Sequence, residues 1–578
     1  MIESYRQLFA LLSTRQRRDF LILQILMALT AFAELIGVAS IMPFMAVAAT
    51  PELIETNSYL NLFYVLIGEP PTNKFLLYIG LVFIMLICGS NALLLVSQFL
   101  MNRYSQRLGG EFASSLYRYY LGRDVLFHGR TNSAGLIQHI MRDTQRLGTH
   151  FIAPALRLNG RLFSVVLLSL LIFYVDFVVA MSTVVCLGGI YWFVFYALRS
   201  RIYENGKHIS ADNARRNKQL NESFEGIRDV KLYGAEPQLA KQFNKDTHRV
   251  TRSLADNMIL GQSPYYLVET LVLVGTLLIA LYFMLLKGGI EAVLPVLTLY
   301  VMAGFKLVPK VQQSYLAITQ MRSALPVFRS LKGVLEEAAA TEYEVFQSQP
   351  AVHPKRDILL TGVTYSYPTS IEPVVQDVNL RIPVGSVVAI TGGSGGGKST
   401  LLEILMGLLK PDSGFLSIDG SRLLPVQMQG WQRSVGYVPQ SVYLTDASIA
   451  ENIAFGVPEQ EIDPARLQRA AKLTVLSEFI SSLNDGFATR IGERGMLLSG
   501  GQRQRLGIAR ALYRDISVII LDEATSALDN PTQQQIFTNL VREESYTILM
   551  VTHREETLEF ADLRYELSGG RCEGISKL

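Results

Sequence analysis

The sequence predicts two parts: a membrane domain of six α-helical spans, then a soluble α/β domain with a phosphate-binding loop. Residues 1 to about 310 hold nearly all the long apolar runs, and the 578-residue chain is 49% apolar with a mean hydropathy of +0.25. The glycine-rich stretch GGSGGGKST at 392–400 follows a short β-type run. Both features together predict a membrane protein that binds a nucleotide.

Six apolar runs are each long enough to cross a bilayer, which takes roughly 20 residues. Four of them are 20–49, 75–100, 265–286 and 289–308, and the stretch 158–198 supplies two more around a predicted hairpin turn at Asp176. A buried core helix is the alternative for any single run. Six such runs in about 310 residues favour membrane spans.

The charges between the spans predict the orientation of the chain. Segments 101–157 and 199–257 are rich in arginine and lysine, whereas 50–74 has Lys74 as its one cation beside three glutamates. Basic loops stay in the cytoplasm, so we expect both termini there. Periodic apolar residues in the two basic segments predict helices that continue out of the spans.

Composition excludes other classes. A net charge of +3 over this length gives no indication of a nucleic-acid partner. Cys88, Cys186 and Cys572 lie too far apart to form a metal-ligand or disulfide pattern. The first apolar run is too long for a cleavable signal peptide, so we expect the N-terminus to be retained.

The apolar runs fade into a charged connector, and we expect the membrane domain to cover 1–330 and the soluble domain 331–578. Beyond the connector, SVVAIT (386–391), VIIL (518–521) and TILMVTH (547–553) are β-type runs separated by helical stretches. This alternation predicts an α/β domain.

The glycine-rich stretch fits the phosphate-binding pattern G-x-x-x-x-G-K-[ST] from Gly392 to Ser399. Its backbone N–H groups would surround the nucleotide phosphates, Lys398 would contact the same oxygens, and the Ser399 hydroxyl would bind Mg²⁺. The predicted binding residues here are Gly392, Gly393, Ser394, Gly395, Gly396, Gly397, Lys398, Ser399 and Thr400.

The stretch SVIILDEATSALD (517–529) adds acidic residues at the end of a buried strand. Asp522 is placed to hold Mg²⁺, and Glu523 is the candidate general base for an attacking water. Gln440 would sense Mg²⁺ and that water, and His553, after another apolar run, would contact the γ-phosphate. A solvated turn is the alternative for the Asp-Glu pair, and a structural role is the alternative for His553.

With these motifs in order, residues 355–565 resemble the ATP-binding cassette (ABC) family, which implies ATP and Mg²⁺ as cofactors. The resemblance implies that Tyr367 stacks on adenine. It also identifies LSGGQ (498–502) as the signature that caps the γ-phosphate held by a second subunit, through Ser499, Gly500, Gly501 and Gln502. All motifs match the family consensus, so a symmetric homodimer is expected.

Six spans followed by one cassette are similar to exporter-type half-transporters. Residues 221–236 look like that family's second cytoplasmic loop, whose short helix docks on the ATPase, and the matching part of the first loop is expected near 120–136. Multidrug or lipid A exporters, and a channel or regulator, share this arrangement and remain alternatives. A peptide-secretion ATPase is disfavoured because no N-terminal peptidase cysteine is present, and the spans exclude a soluble ABC enzyme.

Charges within the spans are candidate substrate contacts. Glu34, Glu269 and Lys306 stand out there, with a Glu–Lys ion pair as the alternative. Lys306, Lys310, Arg157 and Arg161 are expected to line an inner cavity that attracts a pyrophosphate head group.

The membrane half also resembles bacterial lipid-linked oligosaccharide flippases of the PglK type. The similarity lies in AELIGVASIMPFMAVAA, in the amphipathic external segment 50–72, and in FKLVPKV of span six. An ordinary extension of a span is the alternative for 50–72. The resemblance implies a polyprenyl-pyrophosphate glycan as substrate, flipped across the bacterial inner membrane, with the external helix engaging the lipid tail.

Overall fold

The computed structural model describes residues 2–175, 177–286, 294–341, 349–368, 370, 372–543 and 546–575. By their internal contacts these residues form two compact units. The first is helical and carries the apolar runs. The second takes residues 343 onward together with 124–127.

The first unit is built from long helices joined by short ones, except that residues 124–127, at the start of one short helix, belong to the second unit. In chain order they are α1 (Ile2–Leu11), α2 (Thr14–Ala39), α3 (Ile41–Ala49), α4 (Leu53–Thr56), α5 (Ser58–Leu66), α6 (Thr72–Leu121), α7 (Val125–Arg130), α8 (Ser133–Gln138), α9 (Thr144–Leu147), α10 (Ala153–Val175), α11 (Phe177–Glu225), α12 (Ile227–Leu232), α13 (Glu236–Leu286) and α14 (Leu294–Ala340). Two π-helical turns, His139–Asp143 and Gly148–Ile152, flank α9.

Three segments of the described chain are long and apolar enough to span a membrane: Thr14–Ala48, Thr72–Leu121 and Ser133–Tyr174. They overlap the predicted spans one to three. Spans four to six fall on α11, α13 and α14. Many side chains of these three spans lie outside the described residues, and so do residues 289–293 at the start of span six. The hairpin turn expected at Asp176 also lies outside them.

The long basic segments are helical, as predicted. α6 runs for 50 residues, α11 for 49 and α13 for 51, well beyond the roughly 20 residues of a span. The short helices α7 and α12 occupy the two predicted cytoplasmic loops. The expected boundary after residue 330 falls inside α14, because this helix continues to Ala340.

The second unit combines two sheets with helices. Its strands are β1 (Asp357–Tyr365), β2 (Val375–Pro383), β3 (Val387–Thr391), β4 (Ser413–Ile418), β5 (Ser421–Arg422), β6 (Val435–Val438), β7 (Val518–Asp522), β8 (Thr547–Val551), β9 (Leu563–Ser568) and β10 (Arg571–Ile575). Its α-helices are α15 (Lys398–Leu405), α16 (Met428–Ser434), α17 (Ile449–Ile453), α18 (Pro464–Leu473), α19 (Ser477–Ser481), α20 (Gly500–Tyr513), α21 (Asn530–Arg542) and α22 (Glu555–Leu558).

The larger sheet positions the nucleotide motifs. Its strand order is β10-β9-β3-β8-β7-β6, and every pair from β9 to β6 is parallel. The loops after β3, β6, β7 and β8 therefore leave the same edge of the sheet. In parallel α/β sheets, ligands bind outside the carboxyl ends of the strands. The smaller sheet, β2-β1-β4-β5, is antiparallel.

Candidate functional site

The loop between β3 and α15 needs glycine at two positions. Gly397 precedes α15 with φ +93°, and a Cβ there would lie 2.7 Å from the carbonyl oxygen of Val374. Gly392 has φ +143°, and its Cβ would lie 2.1 Å from the carbonyl oxygen of Leu567. Only glycine avoids both the strain and the clash, so the backbone can fold closely around a ligand.

Lys398 closes this loop from inside. Its side chain is buried, and its Nζ donates hydrogen bonds to the carbonyl oxygens of Gly392 (2.8 Å) and Gly393 (2.9 Å). The first N–H groups of α15 have no partner within the helix and carry its positive dipole end. The predicted phosphate site is thus a positively charged loop in which two backbone carbonyl oxygens hold the lysine side chain in place.

A pocket of about 290 Å³ joins this loop to the acidic residues. Its lining includes most of the predicted nucleotide residues: Ser394, Gly395, Gly396, Gly397, Lys398, Ser399, Thr400, Gln440, Asp522 and Glu523, together with Val374. The sheet topology brings them together, since β3 and β7 end at the same edge with β8 between them.

Glu523 is held by three parts of the chain. Its carboxylate accepts a hydrogen bond from Gln440 Nε2 (2.6 Å, to Oε2), and His553 Nε2 lies 3.4 Å from Oε1. Its backbone N–H donates to Val551, and its φ is +49°, in the left-handed region that non-glycine residues rarely adopt. Such strain persists where the surroundings impose it, and it is common at functional sites.

Asp522 ends β7 and faces the same pocket. Burial raises the pKa of its carboxyl, and the neighbouring Glu523 raises it further, while a hydrogen bond from the Tyr437 hydroxyl (3.3 Å) and the charge of Lys398 lower it. Burial disfavours the charged form of a carboxyl group, and a bound cation stabilises that form. With the Ser399 hydroxyl and the Gln440 amide in the same pocket, the donor set is all oxygen, which suits Mg²⁺.

Tyr367 lies beside the phosphate loop. Its hydroxyl is 3.2 Å from Thr400 Oγ1, and its ring packs edge-on against Tyr365 with centroids 5.2 Å apart. The ring is partly buried against the core of the second unit. Its position next to the loop is compatible with the predicted contact to adenine.

The signature residues occupy a separate place. Ser499, Gly500, Gly501 and Gln502 are not among the described residues that line the phosphate pocket. Ser499 instead begins α20: its Oγ accepts from the N–H of Gln502 (3.2 Å), and its own N–H donates to Gln502 Oε1 (2.8 Å). This reciprocal capping fixes the helix start that carries the two glycines.

Buried Gln504 connects the signature helix to the SALD stretch. Its Nε2 donates to Ser526 Oγ (3.0 Å), and its Oε1 accepts from the N–H of Ala527 (2.8 Å). Arg554, directly after His553, donates to the carbonyl oxygens of Ser526 (2.8 Å) and Leu528 (3.3 Å). Gln504, Arg554 and Tyr437 could not be predicted as site residues, because the residues they contact are distant along the chain.

A second cavity lies in the membrane unit. It measures about 200 Å³, and its lining includes Glu34, Arg161, Lys306 and Lys310 from α2, α10 and α14, together with Ser164. Lys310 Nζ lies 2.5 Å from Glu34 Oε2, and Arg161 donates to the carbonyl oxygen of Gln313 (3.0 Å). Three of the four predicted substrate cations, Arg161, Lys306 and Lys310, therefore line one cavity. For Glu34 the alternative prediction of a Glu–Lys ion pair is correct, and its partner is Lys310.

Arg157 departs from the expectation. It is not among the described residues that line the cavity, and its guanidinium donates to Asn102 Oδ1 (2.7 Å) on α6. It lies one helical turn before Arg161, so the two arginines share a helix face but reach different partners. Glu269 is also outside this lining, and its carboxylate accepts from the Tyr265 hydroxyl (3.2 Å).

The segment 50–72 contains a short helix, α5. Asn57 caps it by accepting from the N–H groups of Tyr59 and Leu60. Tyr59, Leu62, Val65 and Leu66 are exposed, while Leu60 and Tyr64 pack against a small cluster around Phe75. The middle of this segment is therefore helical, with some apolar side chains packed and others exposed.

The fold and the two sites define a membrane protein with an ATP-binding domain of the P-loop type. Two family profiles match, "ABC transporter" at residues 375–526 and "ABC transporter transmembrane region" at 20–260. The chain belongs to the ABC transporter family and has the half-transporter architecture of its exporters.

Relatives and a solved structure agree with this assignment. An ATP-dependent lipid A-core flippase of Cupriavidus pinatubonensis is 27% identical over 82% of this chain and 80% of its own. One of Alkalilimnicola ehrlichii is 32% identical over 67% and 65%. A bacterial Atm1-family ABC exporter with ATP bound has the same fold, with a TM-score of 0.74 at 21% identity over 98% of this chain and 96% of that one.

Proposed function

We propose that this ABC exporter uses ATP to move a glycolipid with a phosphorylated head group across the bacterial inner membrane. The observation that carries the proposal is the cavity in the membrane unit, where Arg161, Lys306 and Lys310 meet. Intramembrane charges are costly and usually functional. Arginine and lysine are the side chains that bind phosphate best.

At the nucleotide site, Lys398 and the loop N–H groups would hold the β- and γ-phosphates of ATP. Ser399, Asp522 and Gln440 would hold Mg²⁺, which when bound neutralises phosphate charge. Glu523 would accept the proton of the attacking water as general base. Gln440 and His553 contact its two carboxylate oxygens, which supports a shared role in orienting that carboxylate.

Two copies of the chain would form the working unit. The signature residues lie apart from the phosphate pocket, so one chain supplies half of each of two composite sites. Ser499 and the free N–H groups at the start of α20 suit the γ-phosphate bound by a second copy. The arginine-rich extensions of the spans favour cytoplasmic termini, where ATP is available.

The relatives named as lipid A-core flippases favour a lipid A-core type of substrate. A lipid-linked oligosaccharide is the second candidate, supported by the resemblance of the membrane half and by the exposed apolar side chains of α5. Both substrates combine acyl or polyprenyl chains with phosphate and sugar. The cationic cavity fits this shared chemistry.

The test is translocation by the full chain in proteoliposomes. One set carries lipid A-core and another carries a polyprenyl-pyrophosphate oligosaccharide, each with ATP. Glu523→Gln serves as the control without hydrolysis. ATP-dependent movement of one lipid, absent in the control, identifies the substrate. Movement of neither lipid, with normal basal ATPase activity, would reject a phosphorylated glycolipid and point to unrelated amphiphiles.

A further inference from the structure

The cavity of the membrane unit contains a carboxylate as well as cations. The Glu34 side chain is 3% exposed, and its Oε2 accepts from Lys310 Nζ at 2.5 Å and from Ser164 Oγ at 3.2 Å. The Lys310 side chain is 12% exposed. Two charges so close and so buried neutralise each other, so the charge of Lys310 is compensated before any ligand enters.

In the described part of the chain, the other two cations of the cavity have no such partner. Among the residues that the structure describes, no carboxylate lies within salt-bridge distance of Lys306 or Arg161. The Arg161 guanidinium donates to a neutral carbonyl oxygen, that of Gln313. In each copy, the cavity therefore offers two uncompensated positive charges and one that is masked.

We infer that Glu34 is a specificity-determining residue that limits the charge of the head group the cavity accepts. This inference rests on the proposed function. A head group that Lys306 and Arg161 neutralise binds without disturbing the ion pair. A more highly charged head group also needs Lys310, and taking that lysine away leaves the Glu34 carboxylate buried and unpaired, which is strongly unfavourable. Glu34 thus disfavours head groups of higher negative charge, and selectivity requires such an unfavourable interaction with the wrong ligand.

Two polyprenyl diphosphates of equal chain length separate this effect from tail binding. In the glycan-linked lipid, the sugar ester occupies one oxygen of the diphosphate. In the free diphosphate, that oxygen is ionisable and adds negative charge. Glu34 should therefore favour the glycan-linked lipid over the free diphosphate.

The experiment measures dissociation constants for both lipids with the full chain in nanodiscs, by displacement of a fluorescent glycan-linked probe. We expect the wild type to prefer the glycan-linked lipid about tenfold, since losing a buried partner is costly. Glu34→Gln unmasks Lys310, so the preference should fall towards unity through tighter binding of the free diphosphate.

The double variant Glu34→Gln/Lys310→Gln distinguishes charge masking from a structural role. It removes both members of the ion pair, leaves no buried charge unpaired, and returns the cavity to two uncompensated cations. The preference of the wild type should return. Arg157→Gln, which removes a cation one turn away that does not line the cavity, should leave the preference unchanged.

The outcomes separate this inference from the proposed function. Equal binding of both lipids by the wild type, or a double variant that still lacks the preference, overturns the role of Glu34. Binding of neither lipid, with lipid A-core still translocated, also overturns it and leaves the proposed function standing. Failure to bind or move any phosphorylated lipid rejects both.

Discussion

The pocket of the ATPase unit and the cavity of the membrane unit suit the same chemical group, phosphate, by different means. The first is formed largely by backbone between Gly392 and Thr400, with one lysine held by two carbonyl oxygens. The second is formed by long side chains from helices far apart in sequence. Backbone N–H groups hold any phosphate in one geometry, whereas side chains of opposite charge can be balanced to select among head groups.

The two sites also treat their carboxylates differently. Glu523 contacts an amide and an imidazole in a pocket open to solvent, and it keeps a strained backbone conformation. Glu34 is buried against a lysine. The first arrangement leaves a carboxylate available for proton transfer, and the second uses a carboxylate to cancel a charge. Changes in the first should stop turnover with every substrate, and changes in the second should alter only which substrate is moved.

The largest effect is expected for Glu523→Gln. A general base contributes about 10²- to 10⁴-fold to the rate, so ATPase activity should fall by at least about 100-fold. ATP binding should persist, because the substituted amide keeps the shape of the carboxylate side chain. Phosphate release and the binding of labelled ATP measure the two properties. Hydrolysis close to the wild-type rate would remove Glu523 from its assigned role and weaken the contrast between the two carboxylates.

Lys306→Gln should impair transport and leave basal ATPase activity nearly unchanged. A charge-assisted hydrogen bond contributes about 1.5–3 kcal/mol, so transport at low lipid concentration should fall about tenfold or more. Lipid-stimulated ATPase activity should fall in parallel. Arg157→Gln is the matched control, since it removes a cation outside the cavity lining. Equal losses in the two variants would show that general charge, rather than the cavity, attracts the lipid.

Tyr437→Phe should weaken metal binding at the nucleotide site without abolishing hydrolysis. The Tyr437 hydroxyl donates to Asp522 Oδ2, and loss of a partner that orients a metal ligand costs about tenfold in metal affinity. Binding of Mn²⁺ with ATP, followed by electron paramagnetic resonance, gives a readout independent of turnover. Unchanged Mn²⁺ affinity would mean that Asp522 needs no support from Tyr437.

The smallest functional effect is expected for Gln504→Leu, which should mainly lower stability. It removes both hydrogen bonds that join α20 to the SALD stretch and leaves the N–H of Ala527 without a partner, at a cost of about 1–3 kcal/mol. Thermal unfolding of the detergent-solubilised full chain measures this loss. Gln534→Leu, an exposed position on α21, is the control. An unchanged melting temperature would mean that the two segments are held by other contacts.

Local sequence determined much of the nucleotide site. The loop from Gly392 to Ser399, the strand that ends at Asp522 and the helix that begins after Ser499 each depend on neighbours within a few residues. The structure has β3, β7 and β8 where the sequence predicted β-type runs. Tyr437 and Arg554 escaped prediction because their partners, Asp522 and Ser526, lie far from them along the chain.

In the membrane cavity, by contrast, local sequence predicted the helices but not which side chains meet. Apolar runs of sufficient length predicted spans, since only a helix satisfies its own backbone in a bilayer. The same sequence placed Arg157 and Arg161 on one helix face, yet only Arg161 lines the cavity. It also left open whether Glu34 is paired, because its partner Lys310 is 276 positions away. The secondary-structure elements and the phosphate loop follow from the sequence alone, because they depend on local backbone geometry and on length. Which charges are free and which are cancelled follows from the fold, because that depends on distances between helices that no local pattern records.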